Sequence, residues 1–540
     1  MDRLVAFLER DRLPLFLTFL YVLAVAFVRD MLEYYLLDQE FVSSSHPWIY
    51  SIAHHLGFYV VVFMGLVLLL SAFSGRGVRR SINYVSCFYW IIILPPILDH
   101  YIGGLNENYA YFSVTDFLNA IFHFSGEGFH IGQATEVFVV LFALFAYTIW
   151  TQRHRLFTIR DRTITLARIL LLIFFTFLAM FIMATPAAFL PVAPTEFPSF
   201  DLTKYYQFHI FLFFYYLAAG VMLSVAITYL ATKGHFRYIV RSMRPVQTLF
   251  FGAIVAAGIV TGWRLSSSLD LVTKLFQNPY WVNLGFAGIS IIAALLAWQV
   301  STIWNDLSDR ESDEPRRKDR ILASGLVHMA LLKQVSLILV TVSVTCSFLL
   351  SIPQGLIILG ILALSFIYSF RPVRFKDHIL SPVLIGLGTF LAFIYGYLTP
   401  YSEVDQIMTV NGPVPFLTGA VKIPALTPEG FLLGFFMFIG LAVGSMVTDI
   451  DGYEEDRKAR VKTIFTYLGL EKGKRIVAVL IFLSALTPLF LFDSLMDLVV
   501  FPFLGAAAAI IFIREGRSRP VLVIALVGLV YAAMRYLGLI

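Results

Sequence analysis

Long apolar runs recur along the whole chain. From Leu13 to the C-terminus, stretches of about 20 mostly apolar residues alternate with short polar connections. About 20 residues of helix cross the hydrocarbon core of a bilayer, whereas a core helix of a soluble protein is shorter and amphipathic. The sequence therefore predicts an all-α membrane protein with about fifteen spans, about six before Lys233 and about nine after Arg244.

Lys and Arg gather in every second connection between these runs. The basic stretches are 76–80, 153–162, 233–244, 316–320, 371–376, 457–475 and 514–519. Cytoplasmic loops carry such an excess of positive charge, so we predict a multi-pass protein of the cell membrane whose N-terminus and basic loops are cytoplasmic. The first run follows Arg3, Arg10 and Arg12 but has no small-residue cleavage site, which indicates a retained span rather than a signal peptide.

The composition agrees with this interpretation and narrows the class of protein. Hydrophobic residues make up 59% of the 540 positions and charged residues only 14%, compared with ~25% charged residues in soluble proteins. The net charge of +5 is spread over alternate loops, so we expect no nucleic-acid partner. Cys87 and Cys346 lie in apolar runs far apart in sequence, so we expect no disulfide framework.

A basic stretch near the middle of the chain separates two groups of apolar runs. It begins at Lys233 and continues to Arg237 without a long linker. We therefore predict two membrane domains, one of about six spans over residues 1–235 and one of about nine spans over residues 236–540.

The strongest chemical signal is an acidic segment after the span that ends near Trp304. Asp306, Asp309 and Asp313 are spaced i, i+3 and i+7, so a helix would present all three carboxylates on one face. Unpaired carboxylates at a membrane edge are costly, and a hydrated Mg²⁺ bound to substrate phosphates would relieve their repulsion. We predict that these three residues are catalytic and bind Mg²⁺.

A second acidic segment, residues 449–456, follows the span that ends near Met446. Asp449 and Asp456 are spaced i and i+7, so they would present a second carboxylate face toward the first. Two such faces suit a diphosphate with more than one Mg²⁺, because each metal bridges phosphate oxygens to carboxylates. We predict that Asp449 and Asp456 are catalytic and bind metal together with Asp451 and Glu454.

Clusters of cations follow both acidic segments and a span between them. A departing diphosphate needs preorganised positive charge, so some of these cations should contact it, while others only fix the topology. The candidates are Arg316, Arg317, Lys318, Arg320, Arg371, Arg374, Lys376, Arg457, Lys458, Arg460 and Lys462.

Four segments of the C-terminal half fit one family pattern. They are the NDxxDxxxD stretch 305–313, the RPLxSG-like stretch 320–325 with Ile321 in place of Pro, the tyrosine, proline and basic stretch 368–376, and Arg244–Pro245 before the first span. Together they resemble the UbiA superfamily of intramembrane prenyltransferases over about residues 236–540.

The second acidic segment departs from the DxxDxEGDxxxGxxT form that this family often has. The chain keeps Asp449, Glu454, Asp456 and Thr463, whereas Glu455 and Arg460 replace glycines. Gly452 stands where the family has an acid. Either the neighbouring Asp451 compensates for this change, or one metal is bound more weakly.

The resemblance implies a bundle of about nine helices with a central cavity, capped by the motif loops and open to lipid at its side. It implies a Mg²⁺-dependent prenyltransferase of lipid or quinone biosynthesis. A prenyl diphosphate would lose diphosphate, and a hydrophobic or aromatic acceptor would capture the allylic cation. The residues assigned to the diphosphate are Asn305, Arg320, Tyr368, Arg374, Lys376 and Lys462.

Other activities stay open at this point. The acceptor could be a quinone-ring precursor, a chlorin, a haem or a glycerol phosphate, and neither prenyl chain length nor oligomeric state is indicated. A related enzyme would use a phosphorylated-sugar diphosphate as donor and polyprenyl phosphate as acceptor. A cation or lipid transporter is a further alternative, although clustered aspartates in loops rather than mid-span argue against it.

Histidines and acids also gather in residues 1–235, at the face that the charge pattern places outside. They either bind a metal such as Zn²⁺ or are ordinary interfacial side chains. The domain itself could serve dimerisation, lipid access or a separate enzyme activity. The residues are His46, His54, His55, Asp99, His100, His123, Glu127, His130 and Glu136.

Overall fold

The computed structural model describes residues 2–36, 48–102, 131–153, 159–184, 202–266, 282–313, 327–399 and 426–539. Within these ranges the chain is helical and contains no β-strand. The first helices are α1 (Asp2–Leu8), α2 (Leu15–Leu36), α3 (Trp48–Phe73), α4 (Val78–Phe88), α5 (Leu94–Ile102), α6 (Ile131–Gln152), α7 (Ile159–Ala184), α8 (Leu202–Thr232), α9 (Phe236–Ser242) and α10 (Pro245–Ser266). The remaining helices are α11 (Val282–Asp313), α12 (Met329–Leu350), α13 (Ile352–Ser369), α14 (Ser381–Tyr397), α15 (Pro428–Thr448), α16 (Tyr453–Ala459), α17 (Ile464–Leu468), α18 (Leu470–Leu486), α19 (Leu495–Glu515) and α20 (Ser518–Tyr536).

Fourteen helical segments of the described ranges are long and apolar enough to cross a membrane, six before Lys233 and eight after Arg244. The 17-residue α14 is a further apolar helix of the C-terminal half. Large apolar side chains cover the outside of the bundle, such as Phe142, Met222 and Leu249 at 73%, 72% and 75% exposure. This surface suits lipid rather than water. The predicted all-α polytopic membrane fold is confirmed, while the boundary at residue 235 stays a prediction.

The N-terminal half has an apolar core of its own. Val22 of α2, Tyr59 of α3 and Leu144 of α6 are buried together there. Helix α3 also packs against α8, where a Cβ at Gly57 would lie 3.3 Å from Tyr216 Cβ. These contacts join the early helices to the last helix of this half.

The C-terminal half is built around α11. Its buried Ala293, Ala294 and Ala297 belong to one core with residues of α10, α12, α13 and α14. At the contact of α10 with α14, a Cβ on Gly258 would clash with Phe393 O, and a Cβ on Gly396 would clash with Val255 O. Glycine is therefore required for the close approach of these two helices, as is common between helices in membranes.

The two halves are docked against each other along α11 and α12. Phe214 of α8 packs directly on Gly288 of α11, and Leu15 of α2 donates its backbone N–H to Gln334 Oε1 of α12 at 2.5 Å. Because α12 packs antiparallel to α11, with Ser343 bonded to Ala293 O at 2.7 Å, its start lies beside the end of α11. Helix α2 therefore begins near the first acidic segment and runs toward the opposite end of the bundle.

Candidate active site

The first acidic segment forms the last turns of α11. This helix has 32 residues and is about 48 Å long at 1.5 Å per residue, whereas the hydrocarbon core of a bilayer is about 30 Å thick. Its final turns therefore extend beyond the apolar region. Asp306 and Asp309 both lie within α11, as their spacing predicted, and are 12% and 15% exposed there. Asp313 ends the helix, and its side chain lies outside the described residues.

Asp306 binds an arginine from the start of the C-terminal half. Arg244 Nη2 donates to Asp306 Oδ1 at 2.9 Å. Arg244 has φ 50, in the left-handed region, and separates α9 from α10. Arg244 entered the sequence pattern only as part of the family resemblance and was not predicted as a site residue. The Arg–Pro pair before a span was the available signal.

Asp309 binds two cations of the segment that follows α13. Arg374 Nη2 lies 3.1 Å from Asp309 Oδ1, and Lys376 Nζ contacts the same oxygen and Ser308 Oγ, the latter at 3.0 Å. Burial lowers the pKa of Lys376, whereas Asp309 opposes that shift. Arg374 Nε also lies 2.9 Å from Asp377 Oδ2. The first segment therefore has its negative charge compensated by nearby cations.

The backbone of Arg374 is unusual for a non-glycine residue. Its φ of 43 lies in the left-handed region, which an L-residue with a Cβ seldom adopts. Its N–H is bonded to Phe370 O at 2.9 Å, and Asp377 N–H is bonded to Arg374 O at 3.1 Å. These bonds and the two carboxylate contacts fix the guanidinium beside α11, at the kind of place where such strain is often functional.

The second acidic segment follows the end of α15 and continues into α16. Burial, and then the nearby Asp456, raises the pKa of Asp449 to about 7. Burial, Glu455 and Asp377 likewise raise the pKa of Asp456. Within the described ranges neither carboxylate has an ion pair. These two acids therefore lack the compensating positive charge that the first segment has.

Several contacts bring the two segments to one end of the bundle. Lys462 donates its backbone N–H to Asp377 O at 3.0 Å, which ties the chain after α16 to the basic segment after α13. The phenol of Tyr368 lies within electrostatic range of Asp309, Asp449 and Arg244. Ser381 Oγ lies 3.4 Å from the same phenol oxygen. The predicted convergence of both acidic segments with Tyr368, Arg374 and Lys376 is thus present in the structure.

Of the remaining predicted site residues, four lie in the described ranges. Asp451 accepts hydrogen bonds from the Ser518 hydroxyl and from Ser518 N–H, the latter at 3.3 Å, so its carboxylate caps the start of α20. The side chains of Glu454 and Lys462 are exposed, and that of Asn305 is half-buried. Arg320 lies outside the described residues. A Cβ on Gly452 would lie 3.6 Å from Asp456 Oδ2, so an acid at this position would reach the second pair.

The donor atoms at this end of the bundle suit Mg²⁺. In the described part of the chain no group of three His, Cys, Asp or Glu side chains forms a closed metal cage. Mg²⁺ does not need one, because it binds one or two carboxylates, keeps several waters and takes its other ligands from phosphates. Asp449 and Asp456 are two oxygen donors whose mutual repulsion a cation would relieve. The residues present therefore fit this metal.

The helices and the paired acidic segments define a polytopic α-helical membrane protein with a polar site at one end of its bundle. Residues 271–520 match the UbiA prenyltransferase family. This match confirms the predicted resemblance for this part of the chain. The match does not include the N-terminal half.

Two related sequences are digeranylgeranylglyceryl phosphate synthases of archaea. The chain is 26% identical over 198 residues to that of Methanosphaera stadtmanae, covering 36% of this chain and 62% of the relative. It is 26% identical over 228 residues to that of Saccharolobus solfataricus, covering 42% of this chain and 69% of the relative. The chain thus spans less than two thirds of the first of these relatives.

Two solved structures are similar to the chain at lower sequence identity than these relatives. A digeranylgeranylglyceryl phosphate synthase is 14% identical with a TM-score of 0.38, covering 54% of this chain and 94% of that one. A UbiA homolog from Archaeoglobus fulgidus bound to GPP and Mg²⁺ is 14% identical with a TM-score of 0.37, covering 55% of this chain and 98% of that one. At these TM-scores the two structures carry no argument about the site.

Proposed function

We propose that the chain is a Mg²⁺-dependent intramembrane prenyltransferase that moves an isoprenoid group from a prenyl diphosphate to a lipophilic acceptor and releases diphosphate. The observation that carries this proposal is the meeting of two acidic segments and three cations at one end of an apolar bundle. Such an arrangement holds a charged head group at the membrane edge while the hydrocarbon tail stays among helices. The family of residues 271–520 supports the same reaction class.

In this proposal, the three cations bind carboxylates first and the diphosphate of the substrate afterwards. Before the substrate binds, Arg244 neutralises Asp306, while Arg374 and Lys376 neutralise Asp309. A diphosphate that brings its own metal to these carboxylates would free the cations. They would then bind phosphate oxygens through charge-assisted hydrogen bonds. The site thus has positive charge in place before the leaving group develops its negative charge.

Asp306, Asp309, Asp449 and Asp456 would hold the metal, whereas Asp313 has only its sequence spacing in favour of this role. Bound Mg²⁺ neutralises charge on the departing diphosphate. Asp451 and Glu454 would take no direct part, because the first caps α20 and the second is exposed.

Aromatic side chains lie just inside the first acidic segment. Trp304, in the turn before Asp306, has its ring centroid 5.7 Å from that of Phe366 and 6.2 Å from that of Phe370. The faces of aromatic rings attract cations. Trp304 lies about 200° around the helix from Asp306, and Phe366 is half-exposed on the outside of the bundle. We therefore infer that Tyr368, whose phenol lies within electrostatic range of both acidic segments, is better placed to stabilise the allylic cation that forms when the carbon–oxygen bond to diphosphate breaks.

For the acceptor we propose a glycerol phosphate lipid rather than an aromatic ring. The support comes from the names of the two archaeal relatives, which are both digeranylgeranylglyceryl phosphate synthases. We place the site at the cytoplasmic face because the basic connections lie at this end of the bundle. Transport of a cation is disfavoured, since the paired carboxylates lie at helix ends rather than near the bilayer midplane.

The test uses the full chain in lipid nanodiscs with radiolabelled geranylgeranyl diphosphate and Mg²⁺. Separate reactions contain a prenylated glycerol phosphate, an aromatic quinone-ring precursor, and polyprenyl phosphate with a sugar diphosphate donor. We expect a labelled product with the glycerol phosphate, which disappears with chelator and in Asp306→Ala. Product with the aromatic precursor alone would mean that the acceptor is an aromatic ring. Normal turnover by Asp306→Ala would contradict the proposed prenyltransferase function.

A further inference from the structure

The buried polar residues of the N-terminal half form no metal site within the described ranges, where no three His, Cys, Asp or Glu side chains could hold a metal ion. Asp99 instead accepts a hydrogen bond from Gly132 N–H at 2.8 Å, and His100 Nδ1 contacts Leu36 O at 2.7 Å. Of the residues that suggested Zn²⁺ from the sequence, His46, His123, Glu127 and His130 lie outside the described residues. A buried polar group of the C-terminal half, by contrast, is in contact with the candidate active site.

Arg244 lies in a turn that is unusual for a non-glycine residue. It separates α9 from α10 with φ 50, in the left-handed region that residues with a Cβ seldom adopt. Such a conformation persists only where surrounding contacts hold it, and it often occurs at functional sites. The contacts around this turn therefore show what keeps the Arg244 guanidinium beside Asp306.

The contacts that hold the turn come from α11. Gln299 of this helix is buried at 8% exposure, and its Nε2 donates to Met243 O at 3.2 Å and to Thr248 Oγ1 at 2.9 Å. The Thr248 hydroxyl donates in turn to Met243 O at 2.7 Å, and Thr248 N–H donates to Arg244 O at 2.9 Å. The carbonyl groups before and after the Arg244 Cα are thus both fixed, the first of them directly by Gln299.

Gln299 also lies on the same face of α11 as the carboxylate that Arg244 binds. It precedes Asp306 by seven residues, which is two helical turns and about 10 Å along the axis. The backbone of the turn is held beside Gln299, and the Arg244 side chain extends from there to Asp306, where Nη2 lies 2.9 Å from Oδ1. One helix therefore fixes both the backbone and the guanidinium of Arg244.

We propose that Gln299 is a positioning residue for the diphosphate group of the donor substrate. This inference rests on the proposed function, in which Arg244 leaves Asp306 and binds phosphate oxygens when the metal arrives. Because Gln299 already holds the backbone of Arg244, donor binding loses less free energy to the ordering of this side chain. Gln299 itself touches neither the metal nor the diphosphate and acts through Arg244.

A matched pair of substitutions isolates this role. Gln299→Met keeps nearly the same side-chain volume but removes both donated hydrogen bonds, because a thioether has no N–H. The control is Gln354→Met. Gln354 is buried at 0% exposure and donates to Tyr395 O and Thr399 Oγ1, each at 3.2 Å. It lies in the first turn of α13, at the other end of the helix from the candidate active site.

Hydrogen–deuterium exchange of the substrate-free full chain in nanodiscs reports on the turn without any need for activity. The N–H groups of Arg244 and Thr248, bonded to Arg241 O at 3.1 Å and to Arg244 O at 2.9 Å, should exchange several-fold faster in Gln299→Met. They should exchange at the wild-type rate in Gln354→Met. Unchanged exchange in Gln299→Met would overturn the proposal.

A double-mutant cycle with Arg244→Ala tests whether Gln299 acts through that arginine. In Gln299→Met the KM for geranylgeranyl diphosphate should rise by about three- to tenfold, the effect of one or two neutral hydrogen bonds, with kcat nearly unchanged. In the Arg244→Ala background the same substitution should raise KM by less than about twofold. Gln354→Met should leave KM at the wild-type value. An equal rise in both backgrounds would show that Gln299 affects donor binding by another route, against the proposal.

Two further outcomes separate this inference from the proposed function. If the wild type forms no product, the proposed function fails, and the exchange rates still decide whether Gln299 holds Arg244. A wild-type KM in Arg244→Ala would contradict the role of Arg244 that both proposals share. Thermal melting reports whether each variant is folded. If Gln299→Met does not fold, Thr248→Val removes the hydroxyl that links Gln299 to the turn and should show both effects to a smaller degree, and wild-type behaviour of that variant would refute the proposal.

Discussion

Both acidic segments of the C-terminal half contain a pair of aspartates, but the two pairs differ in the charges that surround them. In the first, Asp306 is bound by Arg244, and Asp309 is bound by Arg374 and Lys376. In the second, burial and the proximity of Asp456 raise the pKa of Asp449 to about 7, and no cation of the described ranges pairs with it. Among the described residues, the protein itself supplies cations to the carboxylates of the first segment but not to those of the second.

This difference indicates an order of events. A metal ion that meets the substrate-free protein competes with three cations at the first segment but only with a proton at the second. We therefore expect Mg²⁺ to occupy the Asp449 and Asp456 pair first. The first segment would become available when a diphosphate draws Arg244, Arg374 and Lys376 away from their carboxylates. Variants of both segments and changes of pH test this contrast.

The largest effect is expected from Asp309→Ala. This change removes the carboxylate that positions both Arg374 and Lys376, so prenyl transfer should fall by about 10²–10³-fold or more. The rate of labelled product formation measures it. Glu471→Ala is the matched control, because Glu471 is an exposed acid that pairs only with Lys474 among the described residues, at 3.3 Å. A wild-type rate in Asp309→Ala would separate the first segment from catalysis.

The next effect concerns Asp449→Asn. The amide keeps the shape of the side chain but loses the charge that attracts a metal, so the Mg²⁺ concentration for half-maximal activity should rise roughly 10–100-fold. A Mg²⁺ titration of activity measures it. Asp493→Asn, an exposed acid before α19, should leave the titration unchanged. If Asp449→Asn and Asp493→Asn reach half-maximal activity at the same Mg²⁺ concentration, the second segment binds no metal.

Acid should weaken Mg²⁺ binding at the second segment. With the pKa of Asp449 at about 7, a proton competes with the metal below that pH, and affinity should fall by up to about tenfold per pH unit. Calorimetry at about pH 6 and about pH 8 checks this. A Mg²⁺ affinity that stays constant over this range would contradict the shifted pKa.

Stability of the metal-free protein should depend on pH with the opposite sign. The folded-state pKa of Asp449 lies above the value of about 3.9 in an unfolded chain, so ionisation of Asp449 is disfavoured in the fold. Its contribution therefore lowers the free energy of unfolding as the pH rises from about 4 to 7. Thermal melting with and without Mg²⁺ measures this contribution, which should be absent in Asp449→Asn.

A smaller gain is expected from Gly452→Asp. The added carboxylate would start 3.6 Å from Asp456 Oδ2 and restore the acid that the family pattern has at this position. Mg²⁺ affinity should increase several-fold. Gly234→Asp adds the same charge where a Cβ meets nothing within 4 Å, and it should have no effect. A weaker affinity in Gly452→Asp would mean that the added charge only increases repulsion.

The smallest effect on chemistry is expected from Asp451→Ala. Because Asp451 accepts hydrogen bonds from Ser518 at the start of α20, its loss should cost about 0.5–2 kcal/mol of stability, as for other helix caps. Chemical or thermal denaturation measures this. Mg²⁺ affinity should not change. A reduced Mg²⁺ affinity would restore the metal-ligand role that the sequence suggested for Asp451.

Features that depend on local spacing could be predicted from the sequence. The i, i+3 pattern of Asp306 and Asp309 placed both carboxylates on one helical face, and the length of the apolar runs gave the spans. Helix α14 is apolar but has only 17 residues, so its crossing of the membrane stays a prediction. In each case the information lies within one helix, where the period of the structure is fixed.

Features that depend on tertiary contacts could not be predicted in the same way. The pair of Arg244 with Asp306 joins residues 62 positions apart, and the contact of Ser518 with Asp451 joins residues 67 positions apart. Neither separation follows from a local period. The assignment of Asp451 as a metal ligand followed its position beside Gly452, whereas the packing of α20 against the turn after α15 gives its carboxylate another partner.

Mg²⁺ titration of the substrate-free full chain by calorimetry, at about pH 7, tests the central contrast most directly. We expect binding with proton release by the wild type and by Asp306→Asn, and much weaker binding by Asp449→Asn. Wild-type affinity in Asp449→Asn together with loss of binding in Asp306→Asn would contradict it.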